Sequence, residues 1–505
     1  MSDYLLALDF GHGGGRATLY NLDNHKIFSS YQKWSYFSPE DDELRKEFIP
    51  SNFFEILCTL VRVLLKENRI NPNEVVGIST ASMRHTCVFI GKNGKELYGG
   101  PNIDTRGLFY QDVIEEELDF DVFNITGQWP PLMFMPARLL WFKEEQPEVF
   151  KNISYALTGG DWLIYKLTNE FSSEPSLASA TMLLDLVKRK WLTYIMDSLG
   201  LGDIALPKLY NSGDRIGQLI DAVAKKMKLK SGIPVSIGGA DTQLGLLACS
   251  AVSNGDVGLV AGTSTPVMMV TSKPVVDKNR QIWTHCHVHP ERWVIESNAQ
   301  MGGLSYEWLC NSFQQLLGKN KEETYKFMEK LASNIPPGSD DMIASLGSEI
   351  LKIDDLSIMR PAIYSFNQPG HPMTTNPVNF GHFIRATLEN ISFAVKGNIK
   401  QVESIIGIQK KKLLVTGGMS KNNLWLDILS NITGKKIIAT NIAEGTSIGS
   451  IMCAAIGAEI YKDFNEARKN IVMYREEIIP SNDKVQVYKN CYNNWKQWYD
   501  RLGEI

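Results

Sequence analysis

The sequence has no long hydrophobic run and no large excess of either charge. No stretch approaches the roughly 20 apolar residues of a membrane-spanning helix, and the apolar start of the chain is interrupted by Asp9 without a preceding basic segment. With 52 Lys and Arg against 56 Asp and Glu, the net charge is −4, so the surface does not attract phosphate backbones or anionic lipid. We therefore expect a cytoplasmic protein with no membrane and no nucleic-acid partner.

Residues that form disulfides or metal clusters are also scarce. The seven cysteines are an odd number, lie far apart and include no C-x-x-C pair, a usage typical of reduced, buried thiols. His285, His287 and His289 alternate along one face of a predicted strand, as zinc ligands can. No carboxylate at a suitable spacing completes such a site, so we favour a solvated strand face over zinc.

What the chain does have is length and glycine. Its 505 residues exceed what one hydrophobic core supports, and its 44% hydrophobic residues and 40 glycines fit an ordinary globular protein. Residues 4–23 have the pattern of strand, glycine turn and strand, and residues 53–65 that of an amphipathic helix. A similar opening recurs at 234–270, as after a distant internal duplication. We predict an α/β fold of two domains, 1–245 and 246–505, with a ligand cleft between them.

The first glycine turn has the composition of a phosphate site. Asp9 ends the first predicted strand and is followed by the glycine-rich segment Gly11–Gly15. Backbone N–H groups of such a segment can approach phosphate oxygens, and a carboxylate at the strand end can hold Mg²⁺ through water. A flexible hairpin turn would use the same residues, so this segment alone leaves both interpretations open.

Two further glycine turns occur in the second half of the chain. Gly262 and Thr263 follow a predicted strand, where amides and hydroxyls could surround phosphates, although an ordinary Gly-Thr turn has the same composition. Gly418 precedes a predicted helix that has Ser420 or Asn422 near its N-cap. Glycine there would let an adenine ring and its ribose lie against the backbone.

A carboxylate also stands where a general base would be needed. Asp241 follows the strand and glycine pair at 234–239 and opens a predicted helix. That position suits the removal of a proton from an attacking hydroxyl. The alternative is an ordinary N-cap aspartate, so the interpretation depends on the whole set of segments.

These segments, in this order, resemble the FGGY carbohydrate kinases, which are related to actin and hexokinase, over nearly the whole chain. Residues 134–143 resemble the first family signature, with Arg138 where lysine is usual, and residues 382–389 resemble the end of the second. The resemblance implies two actin-like (ribonuclease H-like) domains. Residues 1–245 would carry the sugar side and the first phosphate turn, and residues 246–505 the nucleotide side. ATP and Mg²⁺ are the implied cofactors.

The resemblance also implies roles for individual residues. Asp241 would be the catalytic base and, with Asp9, would orient Mg²⁺. The residues implied for the nucleotide are Gly11, His12, Gly13, Arg16, Gly262, Thr263, Gly303, Gly418, Met419 and Asn422. Those implied for the substrate are Met83, Arg84, His85, Asn102, Asp104, Asp241 and Gln243.

The first turn departs from the family pattern at two positions. The usual turn has Asp-x-Gly-Thr-x-Ser-x-Arg, whereas this chain has His12 in place of Thr and Gly14 in place of Ser. Two hydroxyls directed at phosphate are therefore absent. We hypothesise that His12 donates a hydrogen bond to a phosphate instead.

The substrate segments resemble the xylulokinase and autoinducer-2 kinase branches more than glycerol kinase, whose polyol clamp is not matched at His85 and Met133. We expect ATP-dependent phosphorylation of a linear ketose such as xylulose, with autoinducer-2 as the alternative. Arg84 would hold a substrate oxygen, unless it forms a surface salt bridge. A nucleotide- or sugar-binding sensor without transfer, and an actin-like ATPase, are the other classes considered. Homodimers are common among such kinases.

Overall fold

The computed structural model describes residues 3–118, 121–353, 360–366, 377–441, 444–475 and 477–504. The chain forms two compact units, and the first consists of Met1–Val252, Ser272–Val294 and Gly445–Val472. The second consists of Ser253–Thr271, Ile295–Glu444 and Met473–Ile505. The chain therefore passes between the units more than once, and the limits 1–245 and 246–505 stay a prediction. Among the described residues, no helix is both long and apolar enough to cross a membrane.

Strands and helices alternate along the chain, as predicted for an α/β protein. The strands are Tyr4–Phe10, Gly14–Asn21, Ile27–Lys33, Val75–Ser82, Cys87–Gly91, Glu96–Gly100, Ile153–Thr158, Ser172–Ser173, Leu184–Asp185, Lys190–Trp191, Lys208–Leu209, Arg215–Gln218, Pro234–Ala240, Val257–Val260, Pro266–Thr271, Trp283–Cys286, Trp293–Asn298, Ile343–Ser345, Ile363–Ser365, Lys412–Thr416 and Lys436–Ala439. The α-helices are Pro50–Glu67, Gln111–Glu117, Val122–Thr126, Met135–Glu145, Pro147–Phe150, Gly159–Thr168, Pro175–Ala178, Thr193–Ser198, Asp221–Met227, Asp241–Ala248, Gly302–Leu317, Lys321–Ser333, Phe380–Ile406, Asn423–Thr433, Gly445–Gly457, Phe464–Ile471 and Asn482–Leu502.

The first unit contains a six-stranded mixed sheet. Its strand order is Arg215–Gln218, Pro234–Ala240, Val75–Ser82, Tyr4–Phe10, Gly14–Asn21 and Ile27–Lys33. The strand Val75–Ser82 runs parallel to both of its neighbours, Tyr4–Phe10 and Pro234–Ala240. Three carboxyl ends therefore meet at one edge of this sheet, the edge where ligands bind in open α/β sheets.

The helix predicted at 53–65 is confirmed as Pro50–Glu67. It starts with proline at its first position, where the missing N–H leaves no helical bond unmade. Phe53, Leu57, Val61 and Leu64 are buried on one face, as the spacing of three and four residues requires. This face packs into the core beneath the mixed sheet.

A helix from the C-terminal part of the chain completes the first unit. Gly445–Gly457 packs against the strands Tyr4–Phe10, Val75–Ser82 and Pro234–Ala240 and against the helix Asp241–Ala248. The two helices approach so closely at Gly449 that a Cβ there would lie 2.3 Å from the Leu244 carbonyl oxygen. Glycine is therefore required at this crossing.

The second unit repeats the strand arrangement of the first. Five neighbouring strands have the order Trp293–Asn298, Pro266–Thr271, Val257–Val260, Lys412–Thr416 and Lys436–Ala439. An antiparallel hairpin joins the second and third of these strands, and the third, fourth and fifth are parallel. In each unit, a glycine turn within an antiparallel hairpin thus lies next to the ends of parallel strands, as an internal duplication predicts.

Candidate functional site

The first strand ends in a carboxylate. Asp9 pairs with Ala81 of the parallel neighbouring strand, close to the edge where the parallel strands end. Its Oδ1 is buried and makes no hydrogen bond to any described residue. Burial and, after it, the Asp241 carboxylate raise the pKa of Asp9 to about 7, while Arg16 lowers it. A buried carboxylate oxygen without a partner in the described part of the chain, beside a second carboxylate, is a suitable ligand for a divalent cation.

His12 is anchored on both its backbone and its side chain. The Trp34 Nε1–H and the Tyr36 hydroxyl donate to the His12 carbonyl oxygen, at 3.2 and 2.5 Å. The ring nitrogen Nδ1 lies 2.7 Å from Oδ1 of Asn102, to which it donates. The sequence alone would allow the turn Gly11–Gly15 to be flexible, but these hydrogen bonds hold it at His12. The bond to Asn102 also joins the turn to a segment that is predicted to bind substrate.

Steric crowding explains why position 14 is glycine and not serine. A Cβ on Gly14 would lie 2.3 Å from the Gln32 carbonyl oxygen and 2.7 Å from the Tyr31 ring, so serine does not fit without a shift. Arg16 lies over the same Tyr31 ring at 5.0 Å and donates to Ser29 Oγ at 3.1 Å. The turn is thus packed against the next strand of the hairpin.

Asp241 is the first residue of its helix, and the N-cap position is taken by Ala240. The half-buried Asp241 carboxylate accepts a hydrogen bond from the Thr242 N–H at 2.7 Å. The backbone is held on both sides, because Ala240 N–H donates to Ser176 Oγ at 2.9 Å and Thr446 Oγ1 donates to the Asp241 carbonyl oxygen at 3.0 Å. A fixed carboxylate at a strand end is what proton removal from a bound hydroxyl requires.

Gln243 lies in the same helix turn as Asp241. It is fully buried, and its Oε1 accepts from the Thr242 hydroxyl at 2.6 Å. Its Nε2 is buried and makes no hydrogen bond within the described part of the chain. A buried donor of this kind costs free energy unless a partner arrives, which suits a ligand oxygen.

The segment 83–85 carries three of the predicted substrate residues. Met83 is buried, and its N–H donates to the Phe10 carbonyl oxygen at 2.9 Å. This backbone contact fixes the segment to the end of the strand that carries Asp9. Arg84 is largely buried, and its guanidinium donates to His285 Nε2 at 2.8 Å.

His85 adopts a left-handed backbone conformation with φ of +61°. Such a conformation is strained for a residue with a Cβ and is typical of functional segments. The ring donates from Nδ1 to the Ala180 carbonyl oxygen at 3.0 Å. Burial, followed by the charges of Arg84 and Arg138, lowers the pKa of His85 to about 3. The ring is therefore neutral near pH 7, and its Nε2 is a hydrogen-bond acceptor.

Asn102 and Asp104 occupy different environments although they are only two residues apart. Asn102 is half-buried and accepts the bond from His12. Asp104 is fully buried, accepts a hydrogen bond from the Tyr98 hydroxyl, and is 2.8 Å from Arg106 Nε. A substrate contact of Asp104 would require this network to open.

Arg138 stands at the position where the family signature usually has lysine. Its side chain is fully buried, and NH2 donates to the Pro101 carbonyl oxygen at 2.8 Å while NH1 donates to that of Gly100 at 3.3 Å. The planar guanidinium reaches two neighbouring carbonyl groups at once, which a lysine ammonium does less well. Arg138 therefore supports the backbone that leads into the segment of Asn102 and Asp104.

In the second unit, the turn that carries Gly262 and Thr263 lies on the start of a long helix. The Leu304 N–H of this helix donates to the Thr263 carbonyl oxygen at 3.1 Å. A Cβ on Gly303 would lie 1.8 Å from the Gly262 carbonyl oxygen, so only glycine allows this approach. Gly262, Thr263 and Gly303, which the resemblance implies for the nucleotide, are therefore adjacent.

The second glycine turn of this unit adjoins the first. The Met419 N–H donates to the Ala261 carbonyl oxygen at 3.1 Å. Gly417 has a φ of +101°, and a Cβ there would lie 2.5 Å from the same carbonyl oxygen. Gly418 is exposed, and no described atom lies within 4 Å of a Cβ built on it. This turn therefore presents open backbone beside the first turn.

Asn422 links this turn to the helix that carries Gly303. It is the N-cap of the helix Asn423–Thr433 and accepts from the Trp425 N–H at 2.9 Å. Its Nδ2 donates to the Tyr306 hydroxyl at 3.2 Å. The implied nucleotide residues of the second unit thus form one cluster at the ends of parallel strands.

The expectation of a solvated face for the three alternating histidines is wrong for two of them. All four residues of the strand Trp283–Cys286, which include His285, are buried, and so is His287, which follows the strand. Among the described residues, no group of three or more His, Cys, Asp and Glu side chains is arranged to hold a metal ion. His287 instead donates from Nε2 to the Ala251 carbonyl oxygen at 3.0 Å, and its Nδ1 accepts from the His289 N–H at 2.9 Å.

Two models of one known family match this chain. The N-terminal domain model of the FGGY family of carbohydrate kinases matches residues 4–248, and the C-terminal domain model of the same family matches residues 257–458. The chain belongs to the FGGY family of carbohydrate kinases. It is therefore an ATP-dependent phosphotransferase that acts on a small carbohydrate, and its α/β fold with two actin-like domains is that of the family.

Several FGGY kinases are similar over their full length. The autoinducer-2 kinase of Klebsiella pneumoniae subsp. pneumoniae is 27% identical, with 99% of this chain and 95% of that protein covered. The crystal structure of a gluconate kinase from Lactobacillus acidophilus has a TM-score of 0.82 at 18% identity, covering 100% of this chain and 99% of that one. A ligand-bound xylulose kinase from the same organism has a TM-score of 0.82 at 18% identity, covering 99% and 98%. Two structures equally similar in fold thus carry different substrate names, so the fold does not identify the sugar.

Proposed function

We propose that this FGGY kinase transfers the γ-phosphoryl group of ATP to a hydroxyl of a short, linear hydroxyketone such as xylulose, with Asp241 as the general base. The observation that carries the proposal is the position of Asp9 and Asp241 at the carboxyl ends of two strands that flank Val75–Ser82, where the charge of Asp241 helps to raise the pKa of Asp9. A carboxylate held beside another one has a raised pKa, and such crowding occurs where a proton or a cation is handled.

Asp241 removes the proton of the attacking hydroxyl in this mechanism. Its carboxylate is fixed by the Thr242 N–H and its carbonyl group by Thr446, while Ser176 holds the preceding residue, Ala240. A base held in this way needs no reorganisation when the substrate binds, which favours in-line transfer.

Mg²⁺ fits the carboxylate pair, since the buried Oδ1 of Asp9 has no other partner among the described residues. Asp9 and Asp241 would hold the ion, with water completing its shell, because Mg²⁺ retains several waters in most protein sites. When bound, Mg²⁺ would neutralise the charge of the phosphate oxygens. The glycine turn at 11–13 would supply backbone N–H groups to phosphate oxygens, and the cluster of Gly262, Thr263 and Gly303 would bind the nucleotide.

The pair Arg84 and His85 supports a substrate that has both carbonyl and hydroxyl oxygens. Arg84 has only donors, whereas the neutral ring of His85 presents an acceptor at Nε2. A donor for a carbonyl oxygen and an acceptor for a hydroxyl proton, on adjacent residues, match a hydroxyketone better than an apolar ligand. Gln243 Nε2 offers one more buried donor.

Autoinducer-2 is the second candidate substrate. It is favoured by the similarity of the whole chain to autoinducer-2 kinases, at 27% identity over 99% of its length. The contacts of Arg84 and His85 suit both candidates, so the two are separated by assay.

A coupled assay of ADP release tests the proposal. Wild-type protein with ATP and Mg²⁺ is offered xylulose, other ketoses, gluconate, glycerol and autoinducer-2 in parallel. We expect sugar-dependent ADP release with a linear hydroxyketone and a loss of at least about 1,000-fold in Asp241→Asn, with ATP binding retained. Asp221→Asn is the matched control, because Asp221 also opens a helix of the first unit but is exposed.

Each alternative class predicts a different result. Binding of sugar or nucleotide without ADP release would indicate a sensor, and filament formation with ATP would indicate an actin-like ATPase. Full sugar-dependent activity in Asp241→Asn would remove Asp241 from the proposed role.

A further inference from the structure

A buried histidine far from Arg84 in sequence contacts its guanidinium. Arg84 NH1 donates to His285 Nε2 at 2.8 Å, across 201 positions of the chain, and His285 is fully buried. Neither residue type nor spacing marked His285 as part of the site, since its alternation with His287 indicated only a metal or a strand face.

The chemistry of this contact requires a neutral ring. An arginine guanidinium is always charged and has only N–H donors, so its partner must present a lone pair. Burial, followed by the charges of Arg84 and His85, keeps the pKa of His285 well below its usual range. The ring proton is then on Nδ1, and Nε2 is the acceptor that Arg84 needs.

The other side of the ring packs against Gln128. Gln128 Nε2 lies 3.3 Å from His285 Nδ1, and this is a packing contact rather than a hydrogen bond, because both nitrogens carry N–H groups. Gln128 is itself buried and donates to the carbonyl oxygens of Thr284 and Gly127, at 2.8 and 3.1 Å. The ring therefore has little freedom to turn away from Arg84.

We propose that His285, packed against Gln128, is a positioning residue that sets the direction of the Arg84 guanidinium toward the substrate. The inference rests on the proposed function, in which Arg84 holds a substrate oxygen. A long, flexible arginine loses less rotamer entropy on binding when one of its N–H groups is already held. Removing the acceptor should weaken sugar binding and leave the nucleotide site unchanged.

Steady-state kinetics of four variants test the inference. His285→Phe removes the acceptor while keeping a ring, and we expect the KM for the sugar to rise by about tenfold or more, with the KM for ATP within about twofold of wild type. His285→Gln keeps an acceptor oxygen and should restore most of the sugar affinity. Arg84→Met combined with His285→Phe should be no worse than Arg84→Met alone, because the two residues act as one unit.

His287→Phe is the matched control. His287 is as buried as His285 and lies two residues away, but both of its ring nitrogens contact backbone groups of Ala251 and His289. We expect this variant to lose thermal stability and to keep the sugar KM of wild type. A purely structural role for His285 would give the same pattern in both variants and would overturn the inference.

Two further outcomes separate the inference from the proposed function. No ADP release by wild type with any sugar defeats the proposed function, whereas an active wild type and an unchanged sugar KM in His285→Phe overturn only the inference. If His285→Phe does not accumulate as folded protein, His285→Asn and His285→Gln decide. The shorter amide of Asn should fail to reach Arg84, so equal sugar KM values in these two variants would overturn the inference as well.

Discussion

His12 and Asn102, which lie 90 positions apart, are joined by a hydrogen bond of 2.7 Å between Nδ1 and Oδ1. One residue belongs to the predicted phosphate turn and the other to the predicted substrate segment. Because Nδ1 donates to Asn102, a neutral ring has only an acceptor left at Nε2, and an acceptor repels phosphate oxygens. The hypothesis that His12 donates to a phosphate therefore requires the charged ring.

Substitution of His12 tests this double role. In His12→Ala we expect kcat/KM for ATP to fall by about tenfold, because the turn loses its side-chain anchor and a donor to phosphate. Asn102→Ala should cause part of the same loss. Kinetics of the two single variants and the double variant measure the coupling. ATP affinity and turnover equal to wild type in His12→Ala would rule out the phosphate contact.

Thr446 holds the backbone of the proposed base. Its hydroxyl donates to the Asp241 carbonyl oxygen at 3.0 Å, so Thr446→Val should lower kcat by several-fold and reduce stability by about 1 kcal/mol. The control is Thr168→Val, since Thr168 Oγ1 makes a similar bond to the Ile164 carbonyl oxygen at 2.8 Å. We expect that variant to lose stability only, as measured by urea denaturation beside the ADP assay. Equal kcat values in the two variants would contradict this expectation.

Gly303 gives a steric test of the nucleotide cluster. An added Cβ would lie 1.8 Å from the Gly262 carbonyl oxygen, so Gly303→Ala must displace the turn, and we expect the KM for ATP to rise by about tenfold or more. Gly318→Ala, at the end of the same helix, has no described atom within 4 Å of its new Cβ but keeps a φ of +63°. That control should lower stability by about 1 kcal/mol without changing the KM for ATP. A normal KM in Gly303→Ala would separate this turn from nucleotide binding.

The burial of His287 leads us to expect that the stability of the fold depends on pH. Burial, its largest cause, lowers the pKa of His287 to about 3, whereas an unfolded chain has a histidine pKa of about 6.5. Between these values the unfolded state binds the proton and the folded state does not, so this group destabilises the fold by about 1.4 kcal/mol per pH unit below about 6.5. His287→Phe lacks this penalty.

The measurement compares urea midpoints of His287→Phe and wild type at about pH 7.5, 6.5 and 5.5. The stability deficit of the variant should be constant above about pH 6.5 and should narrow at about pH 5.5. The difference between the two proteins is the quantity to follow, because burial also raises the pKa of Asp161 to about 7. That carboxyl acts in the opposite direction over the same range, equally in both proteins. A deficit that stays constant at all three pH values would show that the pKa of His287 is not lowered in the folded state.

Local patterns predicted most of the fold. The glycine turn between two strands, the helix at 53–65 and a helix with Ser420 or Asn422 near its N-cap are each encoded by neighbours in sequence. All three are present, and the N-cap is Asn422. The α/β class follows from the same alternation. The motifs that resemble the FGGY family are of this kind, because each is short and local.

Contacts between distant segments could not be predicted in this way. The acceptor for Arg84 lies 201 positions away, and the donor to the Asp241 backbone lies 205 positions away. The sequence does not indicate that Asp104 is buried in a hydrogen-bonded network. Its partner Tyr98 is a residue type that is common in strands, so it does not mark a buried polar contact. The sequence pattern of His285 and His287 indicated one shared face, yet not whether that face was solvated.

The helix Gly445–Gly457 is needed whenever the first unit is to be produced alone. It packs against the strand that carries Asp9 and the strand that precedes Asp241, although its Thr446 is 205 positions from Asp241 along the chain. A fragment that stops before residue 445 would leave this sheet with a bare apolar flank and would aggregate when expressed by itself. Complementation by a separate peptide that includes 445–472 would be the way to recover a soluble half.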